Sequence, residues 1–161
     1  MPTVFEKLNL KDQREIVVLD APPSFAAETS TLRGVVVLSK IPARPVGFAL
    51  AFVTRLADVE ARAAQIAARA EGDAVVWFAY PKGSLKRYKC EFNRDTGWAA
   101  LGGHGFEPVR QVAIDEDWSA LRFRRATFIK TLKRDPKAAL SPEGARKAAV
   151  MRAAKTSKPK A

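Results

Sequence analysis

The sequence predicts an α/β domain with a mostly parallel sheet and a C-terminal antiparallel hairpin. Three observations carry that prediction. Short apolar runs at 15–20, 35–38, 48–53 and 74–80 read as strands buried on both faces, as a covered parallel sheet requires. Helical segments alternate with them, which implies crossover connections. Segments 109–114 and 121–125 flank Asp115-Glu116-Asp117-Trp118-Ser119 and read as a hairpin.

The first run, Glu15-Ile16-Val17-Val18-Leu19-Asp20, is bounded by charge and then by Pro22-Pro23. Ser24 is a candidate cap for a short helix over 25–32, ending near Gly34. Val35-Val36-Val37-Leu38 has the same buried character as the first strand. Ile41-Pro42-Ala43-Arg44-Pro45 is too short and proline-rich for a crossover helix and reads as a loop. Over 55–70, Leu56, Val59, Ala63, Ile66 and Ala70 recur at spacings of three and four, leaving Arg55, Asp58, Glu60, Arg62 and Arg69 outside. Gly72 suits a left-handed cap to that helix. The fourth strand, 74–80, stops at Pro81, and Asp95 is a candidate cap for a helix carrying Trp98, Ala99 and Leu101.

The chain has 161 residues and a formal charge of +11, unevenly spread. Residues 131–161 hold nine basic side chains against Asp135 and Glu143, a net +7, which leaves the first 130 residues at +4. That last stretch has too few large apolar residues to offset its ordering entropy. The predicted organisation is one α/β domain over 1–130 and a largely disordered basic tail over 131–161. Ser141-Pro142-Glu143 marks a short helix at 142–153 within the tail. No apolar run is long enough to span a bilayer and no basic-then-apolar leader opens the chain, so no membrane partner is expected and the predicted location is cytoplasmic. A single cysteine, Cys90, excludes an intramolecular disulfide and a cysteine-rich metal site.

Ligands of open parallel sheets sit beyond the carboxyl ends of the strands. The loops there are Asp20-Ala21-Pro22-Pro23-Ser24 and Pro81-Lys82-Gly83-Ser84, which make Asp20, Ser24, Lys82 and Ser84 the candidate pocket. A dinucleotide or S-adenosylmethionine site needs glycines in the first loop for close backbone approach. Two prolines stand there instead, removing amide donors, so no cofactor is expected. Gly102-Gly103-His104-Gly105 follows a helix and precedes a strand, the wrong order for a phosphate loop, and reads as a helix end. His104 lacks a nucleophile elbow and reads as a surface histidine. Cys90 has cationic neighbours that lower a thiol pKa, but no base partner. The acidic triplet at 115–117 points its side chains in different directions, so no metal site is expected. No catalytic residue is assigned.

The basic stretches are more substantial. Lys82, Lys86, Arg87, Lys89 and Arg94 are interleaved with Tyr88 and Phe92, and Arg122, Arg124, Arg125, Lys130, Lys133 and Arg134 follow. Clusters of this kind neutralise phosphates without sequence preference, and aromatics among them can stack on bases. Lys86, Arg87, Lys89, Arg94, Arg122, Arg124, Arg125, Lys133 and Arg134 are therefore the candidate nucleic-acid contacts, with solvated surface as the simpler alternative.

Leu8-Asn9-Leu10-Lys11-Asp12 ahead of the first strand and its Ala21-Pro22-Pro23-Ser24-Phe25 turn resembles the opening of a family of small bacterial proteins, numbered 3052 among domains of unknown function. Residues 74–82 resemble that family's Trp-x-x-x-Pro-Lys segment, and 112–123 its Val-x-x-x-Asp-x-x-Trp-Ser-x-Leu-Arg-Phe signature. The resemblance covers roughly residues 5–130. It implies a small Rossmann-like α/β domain of unassigned activity. The order of strands and helices itself outlines a compact Rossmann-like layer, its sheet arranged like that of methyltransferases but without the glycine-rich loop. Trp118, Ser119 and Arg122 match the signature without implying a reaction. The leading expectation is a non-enzymatic domain whose basic tail associates weakly with nucleic acid or another polyanion. The alternative is a small-molecule enzyme or ligand binder using the Asp20, Ser24, Lys82 and Ser84 pocket.

Overall fold

The computed structural model describes residues 3–82 and 97–129. Six strands, β1 (Glu15–Leu19), β2 (Val36–Leu38), β3 (Val46–Phe52), β4 (Ala70–Pro81), β5 (Phe106–Ala113) and β6 (Trp118–Arg125), form one sheet in the order β2-β1-β3-β4-β6-β5. The pairs β1·β2, β1·β3 and β3·β4 are parallel, whereas β4·β6 and β5·β6 are antiparallel. This is a Rossmann-like α/β sheet closed by an antiparallel hairpin, as expected. Among the described residues, four α-helices accompany it: α1 (Val4–Lys7), α2 (Ala26–Thr29), α3 (Leu56–Arg69) and α4 (Ala99–Gly103).

Strand alternation divides the core between two faces. On one, Val17, Leu19, Ala49, Ala51, Val76 and Phe78 pack beneath Val59, Ala63 and Ile66 of α3, and Leu38 at the end of β2 and Ile41 of the β2–β3 connection join them. On the other, Ile16, Val18, Phe48, Leu50 and Trp77 pack against Phe5 and Leu8 at the N-terminus and Phe25 in the β1–β2 connection. The connection from β1 to β2 thus crosses one face, and those from β2 to β3 and β3 to β4 cross the other. That is how right-handed crossovers leave a central strand in opposite directions. The reversal falls between β1 and β3.

The N-terminal segment is fastened at two points. Thr3 and Glu6 form a reciprocal capping box on α1, with Glu6 N donating to Thr3 Oγ1 at 3.2 Å and Thr3 N to Glu6 Oε2 at 3.4 Å. The indole Nε1 of Trp77, at the sheet centre, donates to the Leu8 carbonyl at 2.7 Å and supplies its buried acceptor with a partner.

Several expectations change. β2 is not buried: it forms the sheet edge, with Val36 56% and Val37 38% exposed. The helix expected over 25–32 shrinks to a 3₁₀ turn at Pro23–Phe25 followed by α2, and Ser24 caps neither. Leu56, assigned to the buried stripe of α3, is 41% exposed. Gly72 is left-handed at φ +58°, but it lies inside β4, because the helix ends at Arg69 and the strand begins at Ala70. It sits where β4 bulges between the pairs Val46↔Ala70 and Phe48↔Val75. Asp95, Cys90 and the whole of 131–161 lie outside the described residues, as do Ser84, Lys86, Arg87, Lys89, Arg94, Lys130, Lys133 and Arg134. Among the described residues, no helix is long and apolar enough to cross a membrane.

Candidate ligand cleft

Strand β1 ends at Leu19, and the next residue turns sharply: Asp20 adopts φ +58°, a left-handed conformation that Asp tolerates better than most residues. The turn aims its carboxylate across the sheet end at α3. Arg62 meets it there, donating to Asp20 Oδ2 through Nε at 3.0 Å and Nη2 at 2.7 Å. The third arm of the guanidinium, Nη1, donates to Gln65 Oε1 at 2.8 Å, one turn further along the helix. The pair is partly solvated, so it orients these side chains more than it stabilises the fold.

Two clefts open around this pair. The larger, about 740 Å³, lies between α3 and the connection following β2, and is lined by Asp20, Ser39, Lys40, Ile41, Pro42 and Ala43 opposite Arg62, Gln65, Ala68 and Arg69. The smaller, about 570 Å³, lies over the ends of β1 and β3, where Phe52, Thr54 and Asp58 join Trp118 around the same Asp20, Arg62 and Gln65. Both are of the size that holds a small organic molecule. The second occupies the crevice beyond the carboxyl ends of the strands at which connections diverge, where open α/β sheets bind ligands. Its walls combine aromatic and charged groups: Phe52 and Trp118 meet edge to face at 5.1 Å between centroids.

The wall formed by residues 39–45 is anchored at its far end. Arg44 reaches back to the start of β1, its Nε donating to Glu15 Oε1 at 3.0 Å, and that hydrogen bond raises the Arg44 pKa above its ordinary value. In the larger cleft, Arg62 is held by Asp20, whereas Lys40 and Arg69 make no side-chain hydrogen bond or ion pair among the described residues.

Of the four pocket residues read from the sequence, Asp20 lines both clefts. Ser24 and Lys82 line neither, and Ser84 is outside the described residues. Strand β3 separates β1 from β4, and the Lys82 backbone is paired instead with the β5–β6 turn, its N–H donating to the Asp117 carbonyl at 2.8 Å. Arg62, Gln65, Thr54 and the 39–43 wall were not singled out. Arg62 and Gln65 stand three apart on α3, beside the buried Val59-Ala63-Ile66 stripe, a spacing that puts them on one side of the helix without marking them as functional.

The first loop does not make a nucleotide cradle. Pro22 and Pro23 offer no amide donors, and no glycine admits close backbone approach. These residues do not fit a dinucleotide or S-adenosylmethionine in the manner of a glycine-rich turn. The other sequence candidates have structural explanations. Asp115 Oδ1 accepts from the N–H groups of Asp117 and Trp118 at 2.8 and 2.9 Å, so it shapes the hairpin turn. Among the described residues, no group of three metal-ligating side chains converges. His104 is exposed at the end of α4.

No family model matches the chain, and no curated protein matches it in sequence. Among solved structures it is similar to the N-methyltransferase NodS from Bradyrhizobium japonicum WM9 in complex with S-adenosyl-l-homocysteine, at 11% identity over 70% of this chain and 78% of that one, with a TM-score of 0.46. It is also similar to the pyocyanin biosynthetic protein PhzM (12% identity, 76% and 54% covered, TM-score 0.47). TehB from Haemophilus influenzae is a third (9% identity, 76% and 61% covered, TM-score 0.44).

The expectation of a non-enzymatic domain associating with nucleic acid is corrected here. Within the chain, two of the three described arginines assigned to nucleic acid are tied into the fold. Arg124 forks onto Asp73, with Nε–Oδ1 at 3.0 Å and Nη2–Oδ2 at 2.6 Å, which raises its pKa. Arg125 donates to the Ala70 and Ala67 carbonyls at 2.7 and 2.8 Å, closing the C-terminus of α3, and lies 5.1 Å over the Phe106 ring. Arg122 is half-buried.

Proposed function

We propose that the domain binds a small molecule in the clefts that meet at Asp20 and Arg62, at the carboxyl end of β1, as a small-molecule enzyme or ligand-binding protein. The observation that carries this reading is the Asp20–Arg62 pair. A carboxylate on a left-handed residue at a strand end is fixed by two guanidinium nitrogens where two clefts meet. Backbone strain and a positioned ion pair at the end of a parallel strand are features that fold stability alone does not demand. Lys40 and Arg69 add positive charge to the larger cleft, which favours a ligand carrying a negative group. With prolines in the first loop, recognition falls on side chains rather than on backbone amides.

The test is an amide-resolved NMR titration of the full chain with AMP, S-adenosylmethionine and benzoate, run separately. At least one of them is expected to shift Asp20, Ser39, Lys40, Arg62 and Gln65 together. Asp20→Ala should weaken that binding about ten-fold or more, through loss of the group that orients Arg62. If no probe moves these residues, or if binding is indifferent to both Asp20→Ala and Arg62→Ala, the reading fails.

A further inference from the structure

We propose that Arg110 and Arg122, paired across β5 and β6 on the sheet face opposite α3, bind a small oxyanion carrying a phosphate or carboxylate group. The two residues are register partners in the antiparallel hairpin, which places their Cα atoms roughly 4.5–5.5 Å apart. They share a face because Ala120 and Val112, each two positions along its own strand, both pack into the core that holds Trp77. Trp77 is also the partner of Arg122 on its other side, in β4. Arg122 therefore stands between a buried indole and a second guanidinium.

Its Nε atom is buried and has no hydrogen-bond partner among the described residues. A guanidinium stays charged, so an orphaned donor on it is a cost that native structures rarely leave standing. Burial lowers the Arg122 pKa, and the charge of Arg124 pushes it the same way; Asp73 pulls in the opposite direction, and Arg110 adds the smallest push downward. Among the described residues, the carboxylates of this face give the Arg122 Nε–H no acceptor. Asp73 is gripped by Arg124, and Glu107 is fully buried with a partner of its own. Two like charges side by side, one with an unused donor, form a fork awaiting an acceptor. An oxyanion between them supplies oxygen to the Arg122 N–H edge and cancels the repulsion. This site is distinct from the Asp20 crevice and does not depend on it.

The experiment follows the arginine Nε–Hε resonances of the full chain at constant ionic strength. Sodium phosphate and sodium acetate are titrated in separate arms, each balanced with sodium chloride, and the thermal midpoint is recorded in parallel. A saturable shift of the Arg122 Nε–Hε signal is expected, with a rising midpoint. Phosphate acting alone assigns a phosphoryl ligand, and acetate acting as well assigns a general carboxylate or phosphate site. Arg110→Ala, an exposed change, should weaken the response about ten-fold. Arg122→Met should abolish it, while its midpoint without phosphate equals or exceeds that of the unaltered chain, because the orphaned donor is gone. Equal shifts at all exposed arginines, no shift in either arm, or a midpoint of Arg122→Met that falls while still rising with phosphate would each overturn the site.

Discussion

Single residues fix this molecule by reaching across long stretches of chain. Trp77 holds the Leu8 carbonyl from 69 positions away, and Arg62 holds Asp20 from 42. Trp77→Phe keeps most of the ring volume but strands a buried carbonyl, so unfolding free energy should fall by about 1–3 kcal/mol in urea titrations. A loss no larger than that of an exposed substitution would show that the Leu8 carbonyl finds another donor. Asp20→Ala belongs to the opposite class: because the pair is partly solvated, stability should move by less than about 1 kcal/mol while ligand response changes. Asp20 could be picked out in the sequence because a carboxylate closing an apolar run marks a strand end. Its partner could not. Arg62 reads as one more charge on the outer side of an amphipathic helix, and only the packing of α3 against the sheet turns it inward.

Among the elements, backbone conformation separates two neighbouring glycines that look alike in sequence. Gly103 ends α4 with open space around a prospective Cβ, whereas Gly105 sits at φ +86° with equally open space. Gly103→Ala should therefore raise stability by about 0.4–1 kcal/mol through the unfolded chain. Gly105→Ala should lower it by about 1–2 kcal/mol through left-handed strain alone. Matched chemical denaturation curves check the pair, and equal effects would contradict the assigned dihedrals. Strands and the long helix were legible because apolar runs and a spacing of three and four are local signals. The β2 segment was misjudged for the same reason. Three valines and a leucine look identical whether a strand has neighbours on both sides or on one, and its edge position is decided by sheet order. The Gly72 assignment erred similarly: the left-handed turn exists, but the chain had already become strand, so it serves a bulge rather than a cap.

At the scale of the whole molecule, protection should follow the sheet from its centre outward. Amide exchange is expected to be slowest in β3 and in the 74–79 part of β4, where both faces are covered, and fastest among strands in β2, which is three residues long and exposed. Hydrogen-exchange mass spectrometry tests this, and a β2 as protected as β3 would mean that another chain covers the edge. The fold class was readable because alternation of strand and helix leaves few topologies open. The cleft was not, since it arises between an element and a connection that share no sequence signal. The passage from β2 to β3 takes only seven residues, 39–45, where a parallel crossover normally needs about a dozen and often a helix. A helix there would lie beside α3 over β1 and fill the space that now forms the larger cleft. The hollow is thus the imprint of an omitted helix, so lengthening this one connection could close it without disturbing a single strand.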